Sequence, residues 1–400
     1  MNKTFIKLSL KVYALSVIII YIISYVFSPT TYPIILLLAG NGRFDDWWNT
    51  ITALRNYPEV VGTICTLPWV YSSLLKSMDF YFGIFTSYII YVIFTLAVLS
   101  IPYEVLKLKY GRFYAGVCIL SYPIMFGFWR GNSDFLIFGL VITAYLYGAN
   151  NRNTSSVFLL GSAIAFKPYQ FFLLFSYKFI VLKKEWMIIS IGLLAIFSLI
   201  LFGNESFFAH SYKEVLACGK WYNDNYAIGN GGSLHNNSLW GGFKFLIDSL
   251  NINQSIKISL LKISSIYLSI WPLVLFISFF AAKDRFHIFL NDRDFYSSKF
   301  FLLCLLISIL SPITPDYRLF LINICLIIFL INDVPNIFEN KVVFLTLIFI
   351  ILPKEFYWFD FGDVRYTPNG PMNFLAMFFL FFYVIRMNGR KVLQLSKKST

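Results

Sequence analysis

The sequence predicts an all-α membrane protein whose helices cross a bilayer many times. Of its 400 residues, 58% are hydrophobic and only 13% are charged. Soluble domains average about half apolar and about a quarter charged, and a water-soluble fold of this size has too little interior to hide such an apolar excess. Phe and Tyr are abundant, with 45 and 26 copies, as expected of lipid-facing helices and interfacial aromatic belts.

The apolar runs predict about 12 membrane-spanning helices, within a range of about 10 to 13, because a helix needs roughly 20 apolar residues to cross the hydrocarbon core. Several runs are short, and we expect the pairs that flank Lys167 and Pro312 to be tilted, or broken where they line a cavity. We find no internal repeat, so residues 1–400 are predicted to form a single membrane domain. The predicted spans are 9–28, 80–101, 112–128, 134–149, 155–166, 169–182, 187–203, 258–281, 299–311, 318–332, 342–353 and 372–386.

Basic residues mark one side of these spans. They fall in short loops and near both chain ends, as cytoplasmic segments do under the positive-inside rule. We therefore predict that both termini are cytoplasmic. The expected location is the plasma (inner) membrane of a bacterium. The first loop, 39–79, the large loop, 204–257, and segment 354–371 are then extracytoplasmic. The basic residues concerned are Lys3, Lys7, Lys11, Lys107, Lys109, Arg112, Lys183, Lys184, Lys283, Arg285, Arg293, Arg386, Arg390, Lys391, Lys397 and Lys398.

The net charge of +13 does not indicate a nucleic-acid partner. A nucleic-acid binder would gather its basic residues on one soluble face, whereas here they separate apolar runs, so anionic membrane lipids are the expected partners. The five cysteines form no CxxC pair and three lie in predicted spans, so neither a disulfide framework nor a zinc site is predicted. The first apolar run lacks a small-residue cleavage site and is expected to be retained.

Two acids directly precede two tryptophans in the first extracytoplasmic loop, in Asp45-Asp46-Trp47-Trp48. The tryptophans are natural anchors at a membrane surface, but anchoring does not need the acids. A carboxylate beside aromatic walls is a stronger base than one in water and can act as a general base. The alternative is an ordinary solvated acidic loop.

Two basic residues are unexpected on the predicted outer side. Arg130 stands in a short Gly-Asn turn with Asn132, which indicates an anionic partner; the alternative is a plain turn. Lys167 follows the largely apolar run 157–166, and a charge at that depth is costly unless it is paired or hydrated. Pro168 breaks the helix there. We expect Lys167 to be functional; the alternative is that its ammonium snorkels to the interface.

Two further outer segments carry candidate binding residues. The large loop 204–257 contains a Gly/Asn/Ser run with His235 and Asn237, whose polar groups could bind sugar hydroxyls beneath a closing lid. The alternative is a flexible polar loop. Further on, Arg318 stands where an anionic head group would emerge from the membrane, unless it is solvated or paired with Asp316.

Together these features resemble the glycosyltransferase family 87 type of GT-C membrane glycosyltransferase, and the order of the motifs carries the resemblance. Two departures exist. The tyrosine-proline-proline stretch that the family often has after the first loop is present only as Tyr57-Pro58, or as Leu67-Pro68 further on, and Pro168 precedes Tyr169 instead of following it. The matching segments, within residues 40–330, are 44–50, Arg130-Gly131-Asn132, 163–169, Asn236-Asn237-Ser238-Leu239, and Ser311-Pro312 with Asp316-Tyr317.

The resemblance implies a GT-C-like fold with its active site in the extracytoplasmic loops, a polyprenyl-phosphate sugar donor and inversion at the anomeric carbon. It also implies that Asp46 is the catalytic acidic position, with Asp45 as the alternative. As general base, Asp46 would accept the proton of the acceptor hydroxyl. A basic cluster beside the monophosphate leaving group would stabilise its charge, and neither a metal nor a cofactor is predicted. The predicted phosphate-binding residues are Lys167, Arg130 and Arg318, and the predicted substrate-binding residues are His235, Asn132, Asn237, Trp47 and Tyr169.

The predicted function is transfer of a sugar from this donor to a cell-envelope glycan or glycolipid acceptor on the extracytoplasmic side. One alternative is a polysaccharide polymerase of the O-antigen or capsule type, which the large loop and Arg318 also suit but which does not require the first-loop acids. A second is a transporter or flippase without chemistry. That class is expected to carry charges at mid-bilayer and paired repeats, whereas the notable charges here lie at the predicted outer interface.

Overall fold

The described part of the chain is almost entirely helical. The structure is a computed structural model and describes residues 3–27, 51–52, 69–130, 132–176, 236–250, 252–264, 266–283, 292–311, 319–331, 341–354, 359–361, 364–366 and 368–396. Its α-helices are α1 (Lys3–Phe27), α2 (Trp69–Tyr110), α3 (Arg112–Ile119), α4 (Tyr122–Arg130), α5 (Asp134–Ala149), α6 (Asn153–Phe166), α7 (Leu239–Ser249), α8 (Gln254–Ser264), α9 (Ile266–Lys283), α10 (Asp292–Leu310), α11 (Phe320–Ile331), α12 (Lys341–Ile351) and α13 (Asn369–Ser396). A 3-10 helix, Pro168–Ser176, follows α6. Strands β1 (Phe359–Phe361) and β2 (Val364–Tyr366) pair antiparallel with Phe359 opposite Tyr366. Apart from this small hairpin, the all-α prediction is confirmed.

An α-helix lies at each predicted span that is fully or almost fully described. The run 169–182 is described only to residue 176, as a 3-10 helix, and the run 187–203 lies outside the described residues. The run 112–128 is divided into α3 and α4, and the run 258–281 into α8 and α9. Among the described helices, two contain stretches long and apolar enough to cross a membrane, Lys3–Ile23 and Met78–Tyr110. These two helices favour association with a membrane.

Three helices form the centre of the bundle. Every residue of α11 from Phe320 to Leu330 is buried, and α5 and α10 pack against α11. A helix that is apolar on all sides can only be stable when neighbours or lipid surround it. At the periphery, α1 and α2 expose apolar side chains, among them Leu8 and Phe85. Extended apolar faces of this kind mark contact with lipid or with another protein.

Side chains of α2 close the C-terminal end of α11. The last carbonyls of a helix have no partner within the helix. Here Tyr110 donates its hydroxyl to Leu330 O at 2.8 Å, and Lys109 Nζ donates to Ile331 O at 3.0 Å. The ammonium also lies where the helix dipole favours a cation. We call this end of the bundle the Lys109 end.

Other lysines gather at the Lys109 end. Lys7 Nζ lies 5.4 Å from the centre of the Tyr114 ring, and Lys341 Nζ lies 5.1 Å from the centre of the Phe5 ring. Both distances are within the range of a cation–π contact. The starts of α1, α3 and α12 are therefore neighbours at one basic end.

The break between α3 and α4 is supported from two other helices. Tyr122 N donates to the hydroxyl of Tyr13 at 3.0 Å. Asn323 Nδ2 donates to Cys118 O at 2.9 Å. The prediction of one span over 112–128 missed this break. The break does not leave these backbone groups orphaned, because α1 and α11 supply partners for them.

Two helix starts approach each other closely because they carry glycines. A Cβ added to Gly241 of α7 would overlap the backbone oxygen of Asn236, and one added to Gly370 of α13 would lie 3.0 Å from that oxygen. One added to Gly242 would overlap the ring of Phe374. The α7–α13 junction therefore has no room for these side chains.

We expect Gly241→Ala to destabilise the protein by about 1–3 kcal/mol, because the added carbon meets backbone that cannot rotate away. The matched control is Gly116→Ala in α3, where a Cβ meets nothing within 4 Å and alanine gains up to about 1 kcal/mol of helix propensity. Thermal unfolding in detergent micelles measures both. An unchanged melting temperature for Gly241→Ala would contradict the packing at this junction.

Candidate functional site

Lys167 is placed at the end of α6 by the proline that follows it. Pro168 disfavours helical backbone in the preceding residue, and Lys167 is extended, with φ −147° and ψ 114°. Its amide still donates to Ala163 O at 2.9 Å, which closes the last turn of the helix. The ammonium therefore extends from the C-terminal end of α6, where the helix dipole favours positive charge.

Asp134 supplies a carboxylate from the start of the adjacent helix. It occupies the first turn of α5, where the helix dipole favours a negative charge, and α5 packs along α6. Lys167 Nζ lies 2.9 Å from Asp134 Oδ2, with the two side chains 10% and 2% exposed. The two residues thus form a buried ion pair between opposite helix ends.

Asn132 completes this arrangement. Its Oδ1 accepts hydrogen bonds from the amide of Asp134 at 3.0 Å and from Lys167 Nζ at 3.2 Å. One amide oxygen thereby pairs with the first amide of α5 and orients the ammonium. We call Lys167, Asp134 and Asn132 the Lys167 cluster.

Two tyrosines of α2 hold the turn that carries the Lys167 cluster. Tyr91 donates to Asn132 O at 2.8 Å and accepts from Leu136 N at 3.2 Å. Tyr88 donates to Phe128 O at 2.9 Å. These bonds fix the turn from its backbone, so the cluster rests on a rigid helical support and not on a free loop.

The structure brings two of the predicted site residues together, Lys167 and Asn132. Arg130 is the last residue of α4, two positions before Asn132, and Tyr169 lies in the 3-10 helix, two positions after Lys167. The side chains of Arg130 and Tyr169 are not described. Five further predicted site residues lie outside the described residues: Asp45, Asp46, Trp47, His235 and Arg318.

Asp134 received no role from the sequence, although the signal was present. Spans 134–149 and 155–166 were predicted as neighbours joined by a short loop, which places positions 134 and 167 at the same end of a helical hairpin. An acid at one helix start and a base at the other helix end are natural partners across such a hairpin.

Asn237 belongs to a second polar group. Its side chain is fully buried, and its Oδ1 accepts from Asn373 Nδ2 at 2.9 Å. Asn373 Oδ1 in turn accepts from Lys354 Nζ at 2.7 Å. We call these three residues the Lys354 network. Lys354 and Asn373 were not among the predicted site residues.

The Asn-x-Ser segment of the large loop forms the start of α7. Ser238 is the N-cap residue, and its Oγ accepts from Gly241 N at 3.1 Å. Asn236 Oδ1 accepts from both the amide and the hydroxyl of Ser238, at 3.1 and 2.8 Å. This capping satisfies backbone donors that a helix start leaves free. The described hydrogen bonds of Asn236 and Ser238 therefore support the start of α7.

A buried lysine lies on α7 one turn from a buried acid. Lys244 and Asp248 are 2% and 8% exposed. Burial lowers the pKa of the Lys244 ammonium to about 8, against the opposing attraction of Asp248. The charged form of Lys244 is therefore disfavoured in the folded state relative to the neutral form.

The Lys167 cluster is a poor cation site. It offers one carboxylate and one amide oxygen beside an ammonium, whereas hard cations such as Ca²⁺ take six or more oxygen ligands. Within the described ranges, no three His, Cys, Asp or Glu side chains come together as a metal-ligand group.

Comparison with protein-family models, with curated proteins and with solved structures finds no match to this chain.

We expect Asp134→Asn to cost about 3–5 kcal/mol of stability, because it removes the carboxylate from a buried ion pair and leaves the ammonium in place. Replacing both partners, as Asp134→Leu with Lys167→Met, should recover most of that loss. The matched control is Glu104→Gln, whose partner Lys107 lies 2.7 Å away in an exposed pair; it should cost less than about 1 kcal/mol. Chemical denaturation in detergent measures all three. A double variant no more stable than Asp134→Asn would contradict the pairing.

We expect stability to rise with pH between about 8 and the ordinary lysine value of 10.5 through Lys244. In that window the unfolded chain binds more protons at this position than the folded one, so deprotonation favours the folded state. Lys244→Met should remove this contribution and flatten the difference between melting temperatures at pH 7.5 and pH 10, which lie about half a unit below the lower and the upper end of the shift. The same pH dependence in wild type and variant would rule out a lowered pKa.

Proposed function

We propose that this chain is a membrane glycosyltransferase that moves a sugar from a polyprenyl-phosphate donor to a cell-envelope glycan or glycolipid acceptor. The observation that carries the proposal is the Lys167 cluster, a lysine fixed by a carboxylate and an amide at the end of a helical hairpin. A fixed ammonium at that position suits a phosphate at the membrane surface. The order of motifs that resembles glycosyltransferase family 87 supplies the reaction class.

The membrane setting is part of the proposal. On α2, Tyr91 contacts the turn beside the Lys167 cluster, and Tyr110 contacts the Lys109 end. Nineteen residues of helix separate them, about 28 Å at 1.5 Å per residue, close to the roughly 30 Å thickness of a hydrocarbon core. Lysines gather at the far end, as the positive-inside rule expects of the cytoplasmic side.

In this arrangement the Lys109 end faces the cytoplasm with both termini, and the Lys167 cluster faces outward. The fold is then GT-C-like, with about 12 spans, in the plasma membrane of a bacterium. The surrounding lipids are partners in the sense that they cover the apolar faces of α1 and α2. No nucleic-acid partner is proposed.

The phosphate of the donor would bind beside Lys167. Asp134 and Asn132 hold the ammonium, and because Asp134 balances its charge, a phosphate needs further cations nearby. Arg130, two residues from Asn132, and Arg318 are the proposed sources. Together they would stabilise the negative charge that grows on the leaving phosphate.

The chemistry proposed is a single displacement with inversion. The acceptor hydroxyl oxygen attacks the anomeric carbon, the bond from that carbon to the phosphate oxygen breaks, and polyprenyl phosphate leaves with the bonding electrons. Asp46, with Asp45 as the alternative, accepts the hydroxyl proton. Trp47, Tyr169 and His235 are proposed to contact the substrates, and holding both substrates in line would supply much of the acceleration.

The buried ion pair also favours a second candidate function, a lipid or polysaccharide flippase without chemistry. Paired charges within a helical bundle are typical of substrate and proton pathways in transporters. Such a protein would move a lipid-linked sugar between leaflets and form no new glycosidic bond. Covalent transfer therefore separates the two candidates.

We expect Asp46→Asn to lower sugar transfer by about 100-fold or more, because a positioned general base contributes that much to such a reaction. The assay follows radiolabelled sugar from a panel of polyprenyl-phosphate hexoses and pentoses into membrane acceptors, with purified protein. Asp45→Asn identifies which acid is the base.

Lys107→Met, at the Lys109 end, is the control for general damage. Near wild-type transfer in both Asp46→Asn and Asp45→Asn would remove the first-loop base. Movement of the donor between leaflets without transfer by the wild type would favour the flippase.

A further inference from the structure

The Lys354 network ties three helices together where the large loop joins the bundle. Lys354 follows the end of α12, Asn373 lies near the start of α13, and Asn237 directly precedes the N-cap of α7. Lys354 also donates to Leu352 O at 2.8 Å, which helps to close α12. The exposed fractions of Lys354, Asn373 and Asn237 are 3%, 0% and 0%. Each side chain therefore acts from inside the protein.

The Lys354 network joins helices at a large cost in desolvation free energy. Apolar side chains of similar volume would often pack there with equal or greater stability, since burying a charge and several amides has a large desolvation cost. What such a network gives instead is one geometry, because its hydrogen bonds hold only in one register. A shift of α7 along α13 by one residue, about 1.5 Å, would separate the amides of Asn237 and Asn373.

The backbone at this junction is held as tightly as the side chains. The carbonyl of Asn236 lies against Gly241 and Gly370, where no Cβ fits without displacing it. The end of the large loop is therefore fixed both by hydrogen bonds and by packing.

We infer that Lys354 and Asn373 are positioning residues for the proposed reaction. They act through Asn237 to fix the start of α7, and so the point at which the loop residues 204–235 join the bundle. The inference rests on the proposed function, in which this loop contacts the donor. It reassigns Asn237, because its buried side chain serves as the anchor of the loop instead of a direct contact to the sugar.

The first test is hydrogen exchange of the purified protein, followed by mass spectrometry of peptides from 236–249. Asn373→Leu and Lys354→Met should each accelerate exchange there by about 10-fold or more, since a loosened helix start opens locally. The control is Thr346→Val on α12, where the hydroxyl bonds only within its own helix, to Val342 O at 2.7 Å. Unchanged exchange in both network variants would overturn the inference.

The second test separates positioning from support of the fold. With a donor that the wild type uses from the polyprenyl-phosphate sugar panel, both variants should raise the donor KM by about 10-fold and leave kcat within about 2-fold, because misplacing a binding element weakens binding first. In an Asn237→Leu background, Lys354→Met should add less than about 2-fold more. Unchanged KM despite faster exchange, or effects that simply multiply, would overturn the positioning role. If the wild type transfers no sugar, this role falls with the proposed function, and the exchange result alone decides whether the anchor exists.

Discussion

The fold depends on one constraint: backbone groups at helix ends and breaks must find partners inside an apolar bundle. Water does not reach such surroundings, and each unpaired donor or acceptor would cost several kcal/mol of folding free energy. The described structure meets the constraint with side chains from distant helices. Tyr13 and Asn323 form hydrogen bonds with backbone groups at the break between α3 and α4. Tyr91 donates to the backbone of the turn before α5, and Lys109 donates to the last carbonyl of α11. The same residues that satisfy the backbone therefore also decide which helices are neighbours.

The two lysine groups use this constraint differently. In the Lys167 cluster, charge is balanced across a helical hairpin, and the favourable ends of two helix dipoles add to the pairing. In the Lys354 network, the ammonium meets a carbonyl and an amide oxygen, and the bonds continue to a third helix. The first arrangement holds a buried, balanced ion pair between two helix ends, and the second holds the start of α7 in register with α12 and α13.

Much of the helix pattern could be predicted from the sequence, because apolar runs and prolines are local signals. Lys167 and Asn132 could also be found, since a charge after an apolar run and a Gly-Asn turn are each visible within a few residues. Lys354 and Asn373 could not be assigned in this way, because their partners come from other helices and each looks ordinary in its own segment. Asp134 could be assigned only by comparing two spans, since the hairpin of 134–149 and 155–166 brings positions 134 and 167 to the same end. The break between α3 and α4 was missed for the same reason: its partners lie 109 and 205 residues away. Asp45, Asp46, Trp47, His235 and Arg318 remain predictions.

That break has a consequence for how the chain is made. Tyr13 is synthesised before Tyr122 and is ready to accept its amide as soon as α4 emerges. Asn323, in contrast, leaves the ribosome about 200 residues after Cys118, or roughly 10–40 s later at typical elongation speeds. Until Asn323 is synthesised, the carbonyl of Cys118 lacks this hydrogen bond. During that interval the carbonyl needs another hydrogen-bond donor. A chain truncated before α11 would never form the hydrogen bond from Asn323 to the carbonyl of Cys118.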